Sequence, residues 1–193
     1  MRLPRAKMPR WVRGTGGTAL VEFSLVLPML VLLLLLVLEF GLFIESRLII
    51  TNVSREGASI ASREPFIDQS ITALLRRSGV PLNLAGANGE IIVTRVTAGD
   101  TQDEPSPRIS ARVSSGDLGV NSSVGETVAN MGLTPEIYGH LVFNPDIGTS
   151  DIADVTVVEV YYRYRPVTPI GEFARGMLNS AGDGVVISSR AIF

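Results

Sequence analysis

The chain has no cysteine, so neither a disulfide framework nor thiolate metal ligation is available to it, and its redox compartment leaves no mark. Histidine is nearly as scarce. His140 stands alone, which excludes an H-E-x-x-H metal helix and thins the options for general acid and base. No G-x-x-x-x-G-K-[ST] phosphate loop and no G-x-S-x-G nucleophile elbow occurs, and Gly14-x-Gly16 lacks the preceding strand that a dinucleotide site requires. Two acid groups have oxygens to offer calcium: Asp100, Asp103 and Glu104 with Asp117, and Asp146, Asp151 and Asp154. Neither follows the spacing of an EF-hand loop, and solvated turns account for them. No catalytic residue, metal or cofactor is therefore expected.

Acids are also missing from residues 1–17, which carry Arg2, Arg5, Lys7, Arg10 and Arg13. The remaining twelve basic residues face all nineteen acids, so a formal net charge of -2 conceals a cationic N-terminus on an acidic remainder. The basic end is a short flank of an apolar block, and nucleic acid is not an expected partner. An apolar block comes directly after it. The hydrophobic fraction of 46% and mean hydropathy of +0.31 owe much to that block, ALVEFSLVLPMLVLLLLLVLEFGLF. With 193 residues, the chain has room for one small domain plus this appendage.

Sixteen uncharged residues separate Glu22 from Glu39. At 1.5 Å per residue the two glutamates stand roughly 26 Å apart, close to the ~30 Å hydrocarbon core, so each reaches an interface. Pro28 is expected to kink this helix and not break it, because in a bilayer a helix is the local way to satisfy the backbone. Five basic residues precede the span, whereas Arg47, Arg55 and Arg63 after it alternate with acids. That asymmetry puts the N-terminus in the cytoplasm and residues 45 onward outside. LEFGLFIESRL offers no small-residue signal-peptidase site, so the span is expected to be retained.

Farther on, Ile49, Val53, Gly57 and Ile60 or Ala61 keep helical spacing to about Arg63, ahead of Pro65. A second short helix is expected in PFIDQSITALLRRSG, stopped by Gly79. EIIVTRVT, RISARV, DVTVVEVYYRYR and GVVISSRAI are β-branched or alternating runs that predict four strands. Between Ser114 and Asp151 lies a long polar insertion, with a capping box at Ser123 to Glu126 and a helical start at Thr134-Pro135. Loops of this kind are candidate partner surfaces. Asn52-Val-Ser54 and Asn121-Ser-Ser123 match glycosylation sequons, strings common by chance. The fold expected is α+β: a long N-terminal transmembrane helix continuing into a small head with a mainly antiparallel sheet.

The stretch GTGGTALVEF, set between a basic leader and the span, resembles the prepilin-peptidase motif of the TadE family of Tad/Flp pilus pseudopilins. TNVSREGASIASR and DVTVVEVYYRYRPVTP are also similar to segments of that family. The resemblance implies a pilin-like architecture and a cut after Gly17, leaving Thr18 as the new N-terminus, Glu22 as fifth residue and Phe23 as its aromatic neighbour. It divides the chain into a leader (1–17), a transmembrane helix (18–44), a helix extension (45–64) and an extracytoplasmic head (65–193). The implied partners are a prepilin peptidase, other pilins or pseudopilins, the inner-membrane assembly platform and the bacterial inner membrane, and the implied role is to enter the fibre or to prime its assembly. Cleavage would put a cationic amine on Thr18 about 6 Å along the helix from Glu22. A neighbouring subunit's Glu22 would then have a partner in a low-dielectric bundle, where an unpaired charge is costly. Two other readings stay open on the residues. One is a signal-anchored protein with a periplasmic binding domain, not processed; the other is an anchored hydrolase using a carboxylate pair.

Overall fold

The computed structural model describes residues 16–177 and 184–193. Helix α1 (Gly16–Ala61) runs unbroken for 46 residues, through Pro28. Its two halves live in different environments. From Leu20 to Leu38 every side chain except the half-buried Leu35 is exposed, an apolar cylinder that water cannot accommodate. From Glu39 onward one stripe is covered: Glu39, Ser46, Ile50, Val53, Ser54, Gly57, Ala58 and Ala61 are buried, with Phe43 half-buried among them. Steps of three and four keep this stripe on one helix face. The head thus takes hold of α1 inside the range 18–44, and the bare segment Gly17–Leu38 is about 32 Å long at 1.5 Å per residue.

Helix α2 (Gln69–Ser78) is the expected second helix. Asp68 caps it, accepting from the Ser70 N–H at 2.8 Å and from the Ser70 hydroxyl, bonds that hold its carboxyl below the usual carboxylate range. Strands β1 (Gly89–Thr97), β2 (Arg108–Gly116), β3 (Asp154–Tyr164) and β4 (Val185–Ile192) occupy the four predicted runs. They form one antiparallel sheet in the order β2-β1-β3-β4. The central pair, β1 and β3, carries the longest β-branched runs and is buried on both faces.

One face packs under α1 and α2, where Ile50, Val53, Leu75, Ile91, Val93, Val158 and Val160 meet. Gly57 makes this approach possible: a Cβ there would stand 2.7 Å from the Leu75 side chain. The other face is covered by the insertion, whose Val124, Met131, Leu133 and Leu141 pack on Val96, Val155 and Val157. The stretch read from sequence as a polar loop therefore supplies a second core. Helix α3 (Pro135–Leu141) starts at Thr134 as predicted, but no helix begins at Ser123. The Ser123 N–H and hydroxyl both go to Glu159 of β3, which removes the donor a capping box needs. Helix α4 (Pro169–Met177) has no counterpart in the sequence reading.

Candidate functional site

The predicted processing residues lie at the bare end of α1. Gly17 is exposed, with open space where a Cβ would stand, and Glu22 and Phe23 are exposed as well. Thr18 is described by its backbone alone, and the cationic residues 2–13 lie outside the described residues. Gly17 is already helical, so a peptidase needing extended chain must unwind the first turn. Two glycines there make that inexpensive, at about 1 kcal/mol each relative to alanine. The rise of four residues places the Thr18 backbone nitrogen and Glu22 on one side of the helix, about 6 Å apart along its axis. Among the described residues, none forms a hydrogen bond or ion pair with Glu22.

The other glutamate of the block behaves in the opposite way. Glu39 is buried against the head and accepts the Tyr164 hydroxyl at 2.5 Å, the Val167 N–H at 3.2 Å and the Thr168 N–H at 2.9 Å. Those last two amides sit at the start of α4, where a carboxylate is favoured by unpaired N–H groups and by the helix dipole. Gly171 lets the helix come this close, since a Cβ there would lie 2.7 Å from the Glu39 carboxyl carbon. Phe43, one turn along α1, meets Tyr164 edge to face with ring centroids 5.3 Å apart. Burial, then the hydrogen bond to Glu39 and its charge, push the Tyr164 phenol above its ordinary range. From sequence Glu39 reads as an interfacial carboxylate, and this latch goes unseen; the available signal was Thr168-Pro169, an N-cap followed by a first-turn proline.

At the far end of α1, Arg95 of β1 closes the helix. Its guanidinium donates to the carbonyls of Ala61 and Glu64, both at 2.6 Å, and of Pro65 at 2.9 Å, and faces Asp154 at 3.3 Å. Between these ends, Ser54 of α1 shares a 2.9 Å hydrogen bond with Ser189 of β4. Glu159, also buried, takes the Ser122 and Ser123 hydroxyls and the Tyr161 hydroxyl, pinning the insertion to the sheet. The tyrosines of β3 thus serve internal packing: Tyr164 is buried and Tyr161 and Tyr162 are half-buried.

Several acids weighed for calcium are engaged by neighbouring side chains. Arg108 pairs with Asp100 at 3.5 Å and Glu104 at 2.9 Å, and His140 faces Asp151 at 2.7 Å. The arrangement as a whole is a helix presented bare at one end and fastened at three levels to a head, which is suited to anchoring and lateral helix packing.

Among the described residues, α1 is the one helix long and apolar enough to cross a membrane, which fits single-pass anchoring. Residues 17–59 match the family model described as TadE-like protein. No curated protein and no solved structure matches the chain.

Proposed function

From a helix that is TadE-like over residues 17–59, we propose that this chain is a pseudopilin of a Tad/Flp (type IVb) pilus or a related secretion apparatus, cut by a prepilin peptidase after Gly17. The observation that carries the reading is where the match begins: at Gly17, the residue after which the cut is expected, with Glu22 bare five positions on. Association with Tad pilus components follows from the TadE-like match. The basic leader holds the N-terminus in the cytoplasm, the bare segment crosses the bacterial inner membrane, and the head stands outside.

In this mechanism the cut supplies Glu22 with a partner. Removal of residues 1–17 leaves an amine on Thr18 at the membrane surface, next to the exposed carboxylate of an adjacent subunit. Pairing the two inside a helix bundle offsets the cost of leaving either charge in low dielectric. Glu22 and Phe23 then act in recognition and register, with no catalytic residue in the chain itself.

The test is the N-terminal residue and intact mass of membrane-extracted protein from cells with and without a prepilin peptidase. Thr18 first only when the peptidase is present is the expected result. Met1 or Arg2 first in both would make Gly17 incidental and leave a signal-anchored, unprocessed binding domain.

A further inference from the structure

Helix α4 does not lie on the sheet. It runs beside the bare half of α1, and Met29, Leu32, Leu33 and Leu36 of α1 form with Pro169 and Phe173 of α4 an open groove of about 620 Å³. Every lining residue is apolar. Leu36 and Met29 are three and ten residues before Glu39, so the groove extends about 4.5 to 15 Å from the latch toward the middle of the bare segment. Phe173 is nevertheless 68% exposed and Val167, next to the latch, 73% exposed. A head built to stand in water would not hold a phenylalanine open beside four exposed leucine-class side chains.

We propose that α4 is a membrane-inserted helix: it lies in the outer leaflet at the headgroup and acyl-chain boundary, with Phe173 and the α1 groove filled by lipid acyl chains. The proposal rests on the reading of α1 as a membrane span. Given that span, anything packed against Met29 to Leu36 is at bilayer depth, and the groove is continuous with the lipid-facing surface of α1. The chemistry of α4 fits a shallow position. Pro169 and Phe173, four residues apart, share one side, while the exposed Glu172 stands a third of a turn away from Phe173. The latch sets the depth, because Glu39 fixes the Val167 and Thr168 amides at the level where the bare segment ends. The head therefore touches the membrane at two places, the span and α4, which restricts its tilt in a way that a single helix does not.

Because the chain is free of cysteine, single cysteines give unique labels. Nitroxides at Phe173→Cys in α4, Leu30→Cys in the span and Gln102→Cys in the head are read in full-length protein in phosphatidylcholine and phosphatidylglycerol vesicles. Accessibility to oxygen and to a water-soluble nickel chelate is measured at each. The expected result is that position 173 follows position 30, accessible to oxygen and shielded from nickel, while 102 does the reverse. Nickel accessibility at 173 equal to that at 102 overturns the proposal. Shielding of 173 from both reagents also overturns it, and assigns the groove to a second copy or another helix. Nickel accessibility at position 30 removes the span itself, and the inserted α4 with it. A second readout leaves Phe173 in place: wild-type protein in vesicles carrying a diazirine acyl chain should be labelled in tryptic peptide 164–175. Labelling of the span without labelling of that peptide sinks the idea.

Discussion

The Tyr164 hydroxyl donates to the Glu39 carboxylate at 2.5 Å, joining positions 125 residues apart at the point where α1 leaves its bare segment and enters the head. This bond, with the Val167 and Thr168 amides on the same carboxylate, fixes the last residue of β3 and the start of α4 to one level of α1. Tyr164→Phe removes one donor without changing the Phe43 ring contact and should cost about 1–3 kcal/mol. Glu39→Gln turns an amide group toward two N–H donors and should cost at least as much. In detergent-solubilised protein each kcal/mol is expected to lower the melting temperature by about 2–4 °C for a chain of this size. Unchanged melting of both variants would mean that the latch carries no stability.

Arg95 closes the opposite end of the grip, and its side chain is only 12% exposed. Three carbonyls of the α1 C-terminus and the turn after it depend on a single guanidinium. Arg95→Ala leaves them without that donor and removes a cation from a helix C-terminus, so a loss of about 2–4 kcal/mol is expected. Arg95→Lys should recover only part, because an ammonium cannot span three carbonyls in the fixed plane of a guanidinium. Thermal unfolding of the two variants side by side tests the point: equal rescue by lysine would reduce the role to charge alone.

Local signals were legible in the sequence and distant ones were not. EIIVTRVT and DVTVVEVYYRYR announce strands because their β-branched residues leave few other conformations, and both sit at the sheet centre. The resemblance over Gly17 to Phe23 is local in another sense, being contained in seven consecutive residues, and the TadE-like match begins at the first of them. The Ser123 capping box failed because Glu159, 36 positions away, takes the Ser123 N–H at 2.9 Å. No local rule sees that competitor. Helix α4 has nine residues and two glycines, too short a run to stand out, and its start is set by a carboxylate on α1. The insertion looked polar because its buried residues Val124, Met131, Leu133 and Leu141 are scattered among glycine and serine, and only the fold collects them.

Alkaline pH should loosen the sheet face that carries the insertion. Burial, then the charge of Glu159 and the hydrogen bond to it, push the Tyr161 phenol up to about 12 from an ordinary value near 10. A raised pKa means that the folded state favours the neutral phenol. Its contribution is fully present below pH ~10 and is lost as pH rises toward 12. Tyr161→Phe cannot ionise, so its stability should fall less between pH 10 and pH 12 than that of the wild type. Parallel loss in both, followed by far-ultraviolet circular dichroism, would assign the alkaline transition to other groups, of which Tyr164, also raised, is the first to test.

The bare end of α1 separates two roles that a single loss of pilus function would confuse. Gly17 is read as the last leader residue, and its surroundings are open enough for a Cβ to add no clash within the folded chain. A bulky replacement such as Gly17→Val should therefore leave folding and insertion intact while abolishing the cut, with the full-length mass retained. Glu22→Gln should do the reverse. Its mutant chain keeps the cleavage residues and should be processed to Thr18, yet it offers a neighbouring amine no charge, so its incorporation into assemblies should drop strongly. Mass spectrometry of the extracted protein and recovery in sheared or crosslinked assemblies give the two readouts. Normal incorporation of processed Glu22→Gln would remove the charge-pairing role and leave Glu22 as an interfacial carboxylate at a helix N-terminus, which the dipole favours by only about 0.3–1 kcal/mol.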